Sequence, residues 1–167
     1  HRDLHSFPTR RSSDLELAET FSAALNSGAA GMVFVTHRLV PNLDRIPNLL
    51  LLRPRDLVLG IGCSPNVSAG EIERAVCWEL ERAFLALASV SCVATTIGQA
   101  EPPGLREFAR CFDLPVEGHE SPALMGGTGD CEAAAILSSR GGRLLVAKKK
   151  HGQVILAIAS KADSGGG

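Results

Sequence analysis

Three features of the sequence predict an α/β fold: three-layer α/β/α, with a mixed, mostly parallel sheet ending in a C-terminal hairpin. An unbroken apolar run over 57–62 reads as a buried strand. Apolar residues then recur at helical spacing, at Ile72, Val76, Leu80, Ala83 and Leu87. Two further apolar runs, over 143–147 and 154–159, flank a connection that contains Gly152. Strand and helix signals alternating in this order place helices against a sheet.

The remaining elements follow in chain order. Residues 1–15 are polar, contain Pro8 and show no period; they read as translated adapter sequence or a disordered start and are set aside from the fold. Residues 16–27 suit a short amphipathic helix, with Leu17, Phe21, Ala24 and Leu25 on one stripe and Gly28 closing it. A short strand is expected over 32–35, and a proline-bearing connection over 40–48. Arg53, Pro54, Arg55 and Asp56 break the apolar run that precedes them, as at a junction of two segments. Ser68 and Glu71 form a capping box, and the helix they open is expected to reach about Ala88. A second strand is expected over 90–97, a helix over 105–112 and a short edge strand at Leu114, Pro115 and Val116. The glycine-rich stretch 118–129 reads as a loop, Asp130 as the N-cap of a helix to Ser138, and 148–153 as the hairpin connection. The glycine-rich end, 162–167, reads as a flexible tail.

Composition excludes several function classes. The 167 residues are 45% hydrophobic and 21% charged, a globular balance, and at 4% aromatic the core must be aliphatic. A formal net charge of −1 gives no global field for nucleic acid or an anionic membrane. No apolar run approaches the roughly 20 residues of a membrane span. The five cysteines, Cys63, Cys77, Cys92, Cys111 and Cys131, include no pair at the two-residue gap of a zinc knuckle or redox dithiol. Reduced thiols in a cytoplasmic protein fit them best.

Four places could carry chemistry. Gly60 and Gly62 at the end of the first strand read as a turn that lets backbone approach an anion, or as a tight structural turn alone. The dinucleotide fingerprint's third glycine is missing, and the chain has no phosphate-binding Gly-Lys-Ser/Thr loop. Cys63 beside the turn is either a nucleophile or a buried thiol. Glu132, in the first turn of its helix, either answers the helix dipole or acts as a general acid or base. Lys148, Lys149 and Lys150 in the expected hairpin turn are surface charges, or one of them binds a ligand carboxylate. Thr95, Thr96 and Gln99 end the second strand, and ligands of open α/β sheets gather at such ends.

Several of these stretches, in register, resemble the C-terminal domain of the cobalamin biosynthesis CbiG family and its CobE-like relatives. They are residues 52–63, Ser68 to Ile72 at a helix start, Ala94 with Thr95, Pro103 to Leu105, Cys131 to Ala135, and the closing strands from Leu145. The resemblance covers about two thirds of the chain. It implies a domain over 53–161, with 16–52 as the remnant of a preceding middle segment. The implied activity is cobalt-precorrin-5A hydrolysis, in which a δ-lactone opens and the bridging carbon leaves as acetaldehyde; a non-catalytic accessory module is the alternative. No cofactor of the protein's own is implied, because cobalt arrives with the substrate. The implied partners are a tetrapyrrole or corrinoid intermediate and other enzymes of the pathway. Carried onto this sequence, the motif positions assign Glu132 as acid/base, Thr95 as hydrogen-bond donor, and Gly60, Gly62, Cys63, Gln99 and Lys148 as substrate contacts. Gln99 stands where the pattern usually has lysine, and Pro102 where it has glutamate, with Glu101 one place earlier.

Overall fold

The computed structural model of the chain describes residues 19, 22–23, 26–28, 30–41, 43–97, 102–120 and 130–162. Most of the helix expected over 16–27, with Leu17, Phe21, Ala24 and Leu25, lies outside the described residues, as do 1–15, 98–101, 121–129 and 163–167. Contacts divide the chain into two compact units, one drawn from residues up to 34 with 43–51, the other from 35–41 with 52–162. Strands β1 (Met32–Val35) and β2 (Leu49–Leu52) form a two-stranded sheet. In the first unit the Met32 N–H donates to the Asn48 carbonyl at 3.0 Å, and Asn48 Nδ2 donates to the Ala30 carbonyl at 3.0 Å.

The second unit is built on a five-stranded sheet in the order β5-β4-β3-β7-β6. Its strands are β3 (Leu57–Cys63), β4 (Val90–Ile97), β5 (Val116–Glu120), β6 (Arg143–His151) and β7 (Val154–Ser160). β3, β4 and β5 pair in parallel, β7 runs antiparallel to β3, and β6 antiparallel to β7. Four of the five strands therefore point one way and β7 alone opposes them, which is the mixed, mostly parallel sheet expected. The helices are α1 (Ala69–Arg82), α2 (Pro103–Cys111) and α3 (Asp130–Ser138).

The helices cover both faces of the sheet. On one face Ile72, Val76 and Leu80 of α1, with Leu105 and Phe108 of α2, meet Leu57, Leu59, Ile61, Val93, Leu156 and Ile158 in the larger core. On the other face Ala134 and Ala135 of α3 pack on Val58, Cys92, Ala94 and Ala159. This second contact uses small residues, so the helix backbone lies close to the strands. A Cβ added at Gly60 would fall 1.9 Å from the Cys131 carbonyl oxygen and 2.9 Å from Ala135 Cβ, whereas one added at Gly62 would meet nothing within 4 Å among the described residues.

Three local expectations change. The first helix ends at Arg82, short of Ala88. Phe84 takes a φ of 53°, the Leu85 N–H reaches back to the Leu80 carbonyl at 2.8 Å, and the Phe84 N–H to Glu81 at 3.0 Å, a Schellman closure with Phe in the usual glycine place. The chain beyond pairs with 37–39 instead, through Leu39 N–H to the Phe84 carbonyl and Ala86 N–H to the His37 carbonyl, each 2.8 Å. That neighbouring segment is pinned by a 2.7 Å bond between His37 Nδ1 and Asp56 Oδ2, and by the Arg53 guanidinium donating to the carbonyls of Thr36 and Arg38. Second, the edge strand is Val116–Glu120, so Gly118 to Glu120 are ladder residues where loop was expected, and Leu114 and Pro115 precede it. Third, Lys148, Lys149, Lys150 and His151 belong to β6, and the turn is only Gly152 and Gln153, with Gly152 at a φ of 57°. The capping box is present as expected, with the Glu71 N–H donating to Ser68 Oγ and the Ser68 N–H to Glu71 Oε2.

Two measurements test this construction. Gly60→Ala is expected to lower stability by about 1–3 kcal/mol or more through overpacking, and Gly62→Ala to leave it nearly unchanged, as read by urea denaturation; equal effects would refute the close-approach argument. Bonds from the Ser68 N–H and hydroxyl hold the Glu71 carboxyl below the usual range. Its contribution to stability is thus full above the ordinary carboxylate pKa and is lost as pH falls through the lowered folded value. Ser68→Ala removes the hydroxyl bond and keeps the N–H bond, so it should flatten the acid limb of the melting temperature against pH in part, and Glu71→Gln should flatten it further.

Candidate functional site

The carboxyl ends of β3, β4, β5 and β6 share one rim with the start of β7, and α1, α2 and α3 follow β3, β4 and β5 there. Open α/β sheets bind ligands at such rims. Register divides the rim between two faces. Gly62 of β3 is opposite Ile155, which is opposite Lys150, on the α3 face. Cys63 is opposite Val154, which is opposite His151, on the α1 face.

Glu132 and Lys148 are brought together. Glu132 Oε1 accepts the Lys148 backbone N–H at 2.6 Å. That N–H is free because the β6–β7 register shifts between Val146 and Lys149, so the carboxylate supplies the partner that the ladder does not. Cys131 lies between their fields: burial pushes its thiol up, Glu132 pushes it further, and Lys148 pulls it down. Both side chains are half-buried, and among the described residues Glu132 Oε2 has no donor.

The other expected site residues are dispersed. Gly60 and Gly62 are not a turn; they lie inside β3, paired with Ala157 and Ile155 of β7. Gly60 is buried under the Cys131 backbone, so the close approach it permits is that of α3 and not of a ligand. Among the described residues nothing lies within 4 Å of a Cβ added at Gly62, on the α3 face. Cys63 is half-buried beside the larger core, and burial raises its thiol, which favours the inert thiol over the nucleophile. Thr95 follows Val93 by two residues, and Val93 packs in the larger core, so alternation turns Thr95 to the α1 and α2 side, away from Glu132. Gln99 lies outside the described residues.

Sequence reasoning missed three groups. The first is His119, the register partner of Thr96 on the α3 side, whose Nε2 lies 2.6 Å from Oγ of the buried Ser138; Thr96 itself is a sequence candidate alongside Thr95. Glu79, only 5% exposed, bonds His151 Nε2 through Oε1 at 2.8 Å. A shallow groove of about 310 Å³ lies beside that pair, between α1 and the β6–β7 turn, lined by Arg74, Trp78, His151 and Gln153 among others. One signal was available: Glu79 occupies a position on the apolar stripe of α1, seven residues after Ile72 and next to Leu80. Among the described residues no group of three or more His, Cys, Asp or Glu could hold a metal ion, and no helix is long and apolar enough to cross a membrane.

Comparison with known proteins follows the same stretch of chain. Residues 57–126 match the family described as cobalamin synthesis G C-terminus. The cobalt-precorrin-5A hydrolase of Priestia megaterium is 26% identical over 163 residues, spanning 87% of this chain and 44% of that protein. The chain thus spans less than half the length of that curated relative. Cobalamin biosynthesis protein chiG from Agrobacterium tumefaciens superposes with a TM-score of 0.55 at 26% identity, covering 64% of this chain and 99% of that one. CobE, from the cobalamin (vitamin B12) biosynthetic pathway, superposes with a TM-score of 0.56 at 29% identity, covering 64% and 91%. A cobalamin biosynthesis protein G homolog from Sulfolobus solfataricus, at 17% identity and a TM-score of 0.54, shares the fold.

The thiol environments give a direct check. Cys111 is exposed, whereas burial raises Cys63, Cys92 and Cys131. Alkylation with iodoacetamide at pH 8, followed by peptide mass mapping, should modify Cys111 first, with Cys92 and Cys131 last. Labelling of Cys63 ahead of Cys111 would restore it as a nucleophile candidate.

Proposed function

Since this chain carries a cobalamin synthesis G C-terminal domain, related to cobalt-precorrin-5A hydrolase, we propose that it forms the substrate-handling C-terminal part of such a hydrolase, a reading carried by the match over 57–126. That stretch contains the rim ends of β3, β4 and β5, the place where an α/β sheet of this topology takes a ligand. The substrate is cobalt-precorrin-5A. Its δ-lactone opens by addition of water, and the bridging carbon then leaves with its methyl group as acetaldehyde.

Water addition to a lactone needs a base for the water, a donor for the ring oxygen, and cations or N–H groups for the peripheral carboxylates. Glu132 suits the first role. One of its oxygens is fixed by the Lys148 N–H, which orients the carboxylate and leaves the second oxygen without a donor among the described residues. Lys148 suits a peripheral carboxylate, since its ammonium lies within electrostatic reach of Cys131 on the same face. Gly62 leaves room for the ring beside them. Thr95 and Cys63 contact the substrate from the α1 side, and Gln99 is a further substrate contact. The protein brings no cofactor to this step, and cobalt belongs to the substrate.

A non-catalytic accessory module is the second reading, favoured by the likeness to CobE, 91% of which the shared domain covers. The two readings separate in one assay, with visible absorbance reporting binding of cobalt-precorrin-5A and coupled alcohol dehydrogenase reporting acetaldehyde. Acetaldehyde release supports the hydrolase, binding alone supports the accessory module, and absence of binding refutes both. If turnover is present, Glu132→Gln should lower it by roughly 10²-fold or more. Because the amide oxygen still accepts the Lys148 N–H, melting temperature and binding should change little. Full turnover in that variant would remove Glu132 from the chemistry.

A further inference from the structure

We infer that the groove between α1 and the β6–β7 turn seats part of one face of a cobalt-bearing macrocycle, with His151 as the axial ligand to its metal; this rests on the corrinoid reading above. Glu79 carries the argument. It occupies the core-facing stripe of α1, where a carboxylate costs desolvation that an apolar side chain would avoid. Its partner is His151, the last residue of β6, at 2.8 Å. Nε2 faces the carboxylate, so Nδ1 is the ring nitrogen left for a metal. Metal-binding histidines are held in this way, one ring nitrogen on a carboxylate and the other on the metal, and imidazole suits first-row transition metals.

The surroundings fit a flat, carboxylate-bearing ring. Trp78, 55% exposed, lines the same groove and offers an aromatic face. Arg74 lies one helical turn before it, so both belong to one face of α1. Lys149, two residues before His151 in unbroken register, shares its side of β6. These two cations answer peripheral carboxylates, and Glu71, which lines the same groove, keeps the carboxylates to their side of it. A groove of about 310 Å³ holds part of the ring face and not the whole macrocycle. His151 lies in the register row of Cys63 and Val154, so the ring continues onto the α1 side of the rim.

The test uses diaquacobyrinic acid, a cobalt corrinoid with exchangeable axial waters and free peripheral carboxylates, titrated into the intact chain with visible absorbance and equilibrium dialysis read together. The wild-type chain should bind it with a shift of the visible bands that marks nitrogen ligation. His151→Ala should lose the shift and weaken binding roughly tenfold or more. Trp78→Ala leaves the Glu79–His151 pair in place, so it should weaken binding yet keep the shift, which guards against misfolding of the histidine variant. Binding by the wild type without a band shift, an undiminished shift in His151→Ala, or no binding of the cobyrinic acid would each overturn the axial assignment. The corrinoid reading itself stands or falls separately, on binding of cobalt-precorrin-5A.

Discussion

The contact of α3 with Gly60 is the constraint on which the rest of the domain depends. β3 is the central strand, and the helix that covers its second face sits so low that the Cys131 carbonyl occupies the space of a side chain. Ala134 and Ala135 continue the same close approach over β4 and β7. Because the helix lies this near the sheet, Glu132 in its first turn can reach β6, two strands from β3, and bond the Lys148 backbone. The candidate acid/base is therefore placed by small residues that do no chemistry themselves.

Much of the fold is legible in the sequence because one signal dominates at each place. The run over 57–62 is buried on both faces, and it has no polar alternation to mislead. Ser68 and Glu71 mark the helix start by chemistry that few other contexts reproduce. The failures arise where a tertiary contact overrides a local signal. The apolar stripe through Ala83 and Leu87 suggests a longer α1, but backbone groups at 84–86 are claimed by 37–39, which no local pattern announces. The lysines at 148–150 resemble a solvated turn, yet β6 is an edge strand, where charged residues are tolerated along a ladder.

The candidate site is less legible, for a physical reason. Sequence places residues near a strand end but not on a face of the sheet. One step along a strand reverses the side chain, so Thr95 and Thr96, adjacent and alike in chemistry, serve opposite faces. Glu132 and Lys148 are sixteen positions apart, and they meet through a backbone N–H freed by an irregular register, which composition does not encode. Arg53 and Asp56 belong to a stretch that carries the family resemblance, and both are engaged with 36–38 as braces. His151 and Glu79 are seventy-two positions apart, and only the odd carboxylate in an apolar stripe hints at the pair.

The pairing of β3 with β7 joins the first strand of the five-stranded sheet to its last, from Leu57 opposite Ser160 to Cys63 opposite Val154. A chain growing from a ribosome offers β3 long before β7 exists. Until then the central strand has only β4 beside it, and its other edge is open and apolar. Loop closure over that separation is slow relative to local helix formation. The domain thus completes its sheet only when β7 has emerged, and the interval before it is the period in which this domain most needs protection from aggregation.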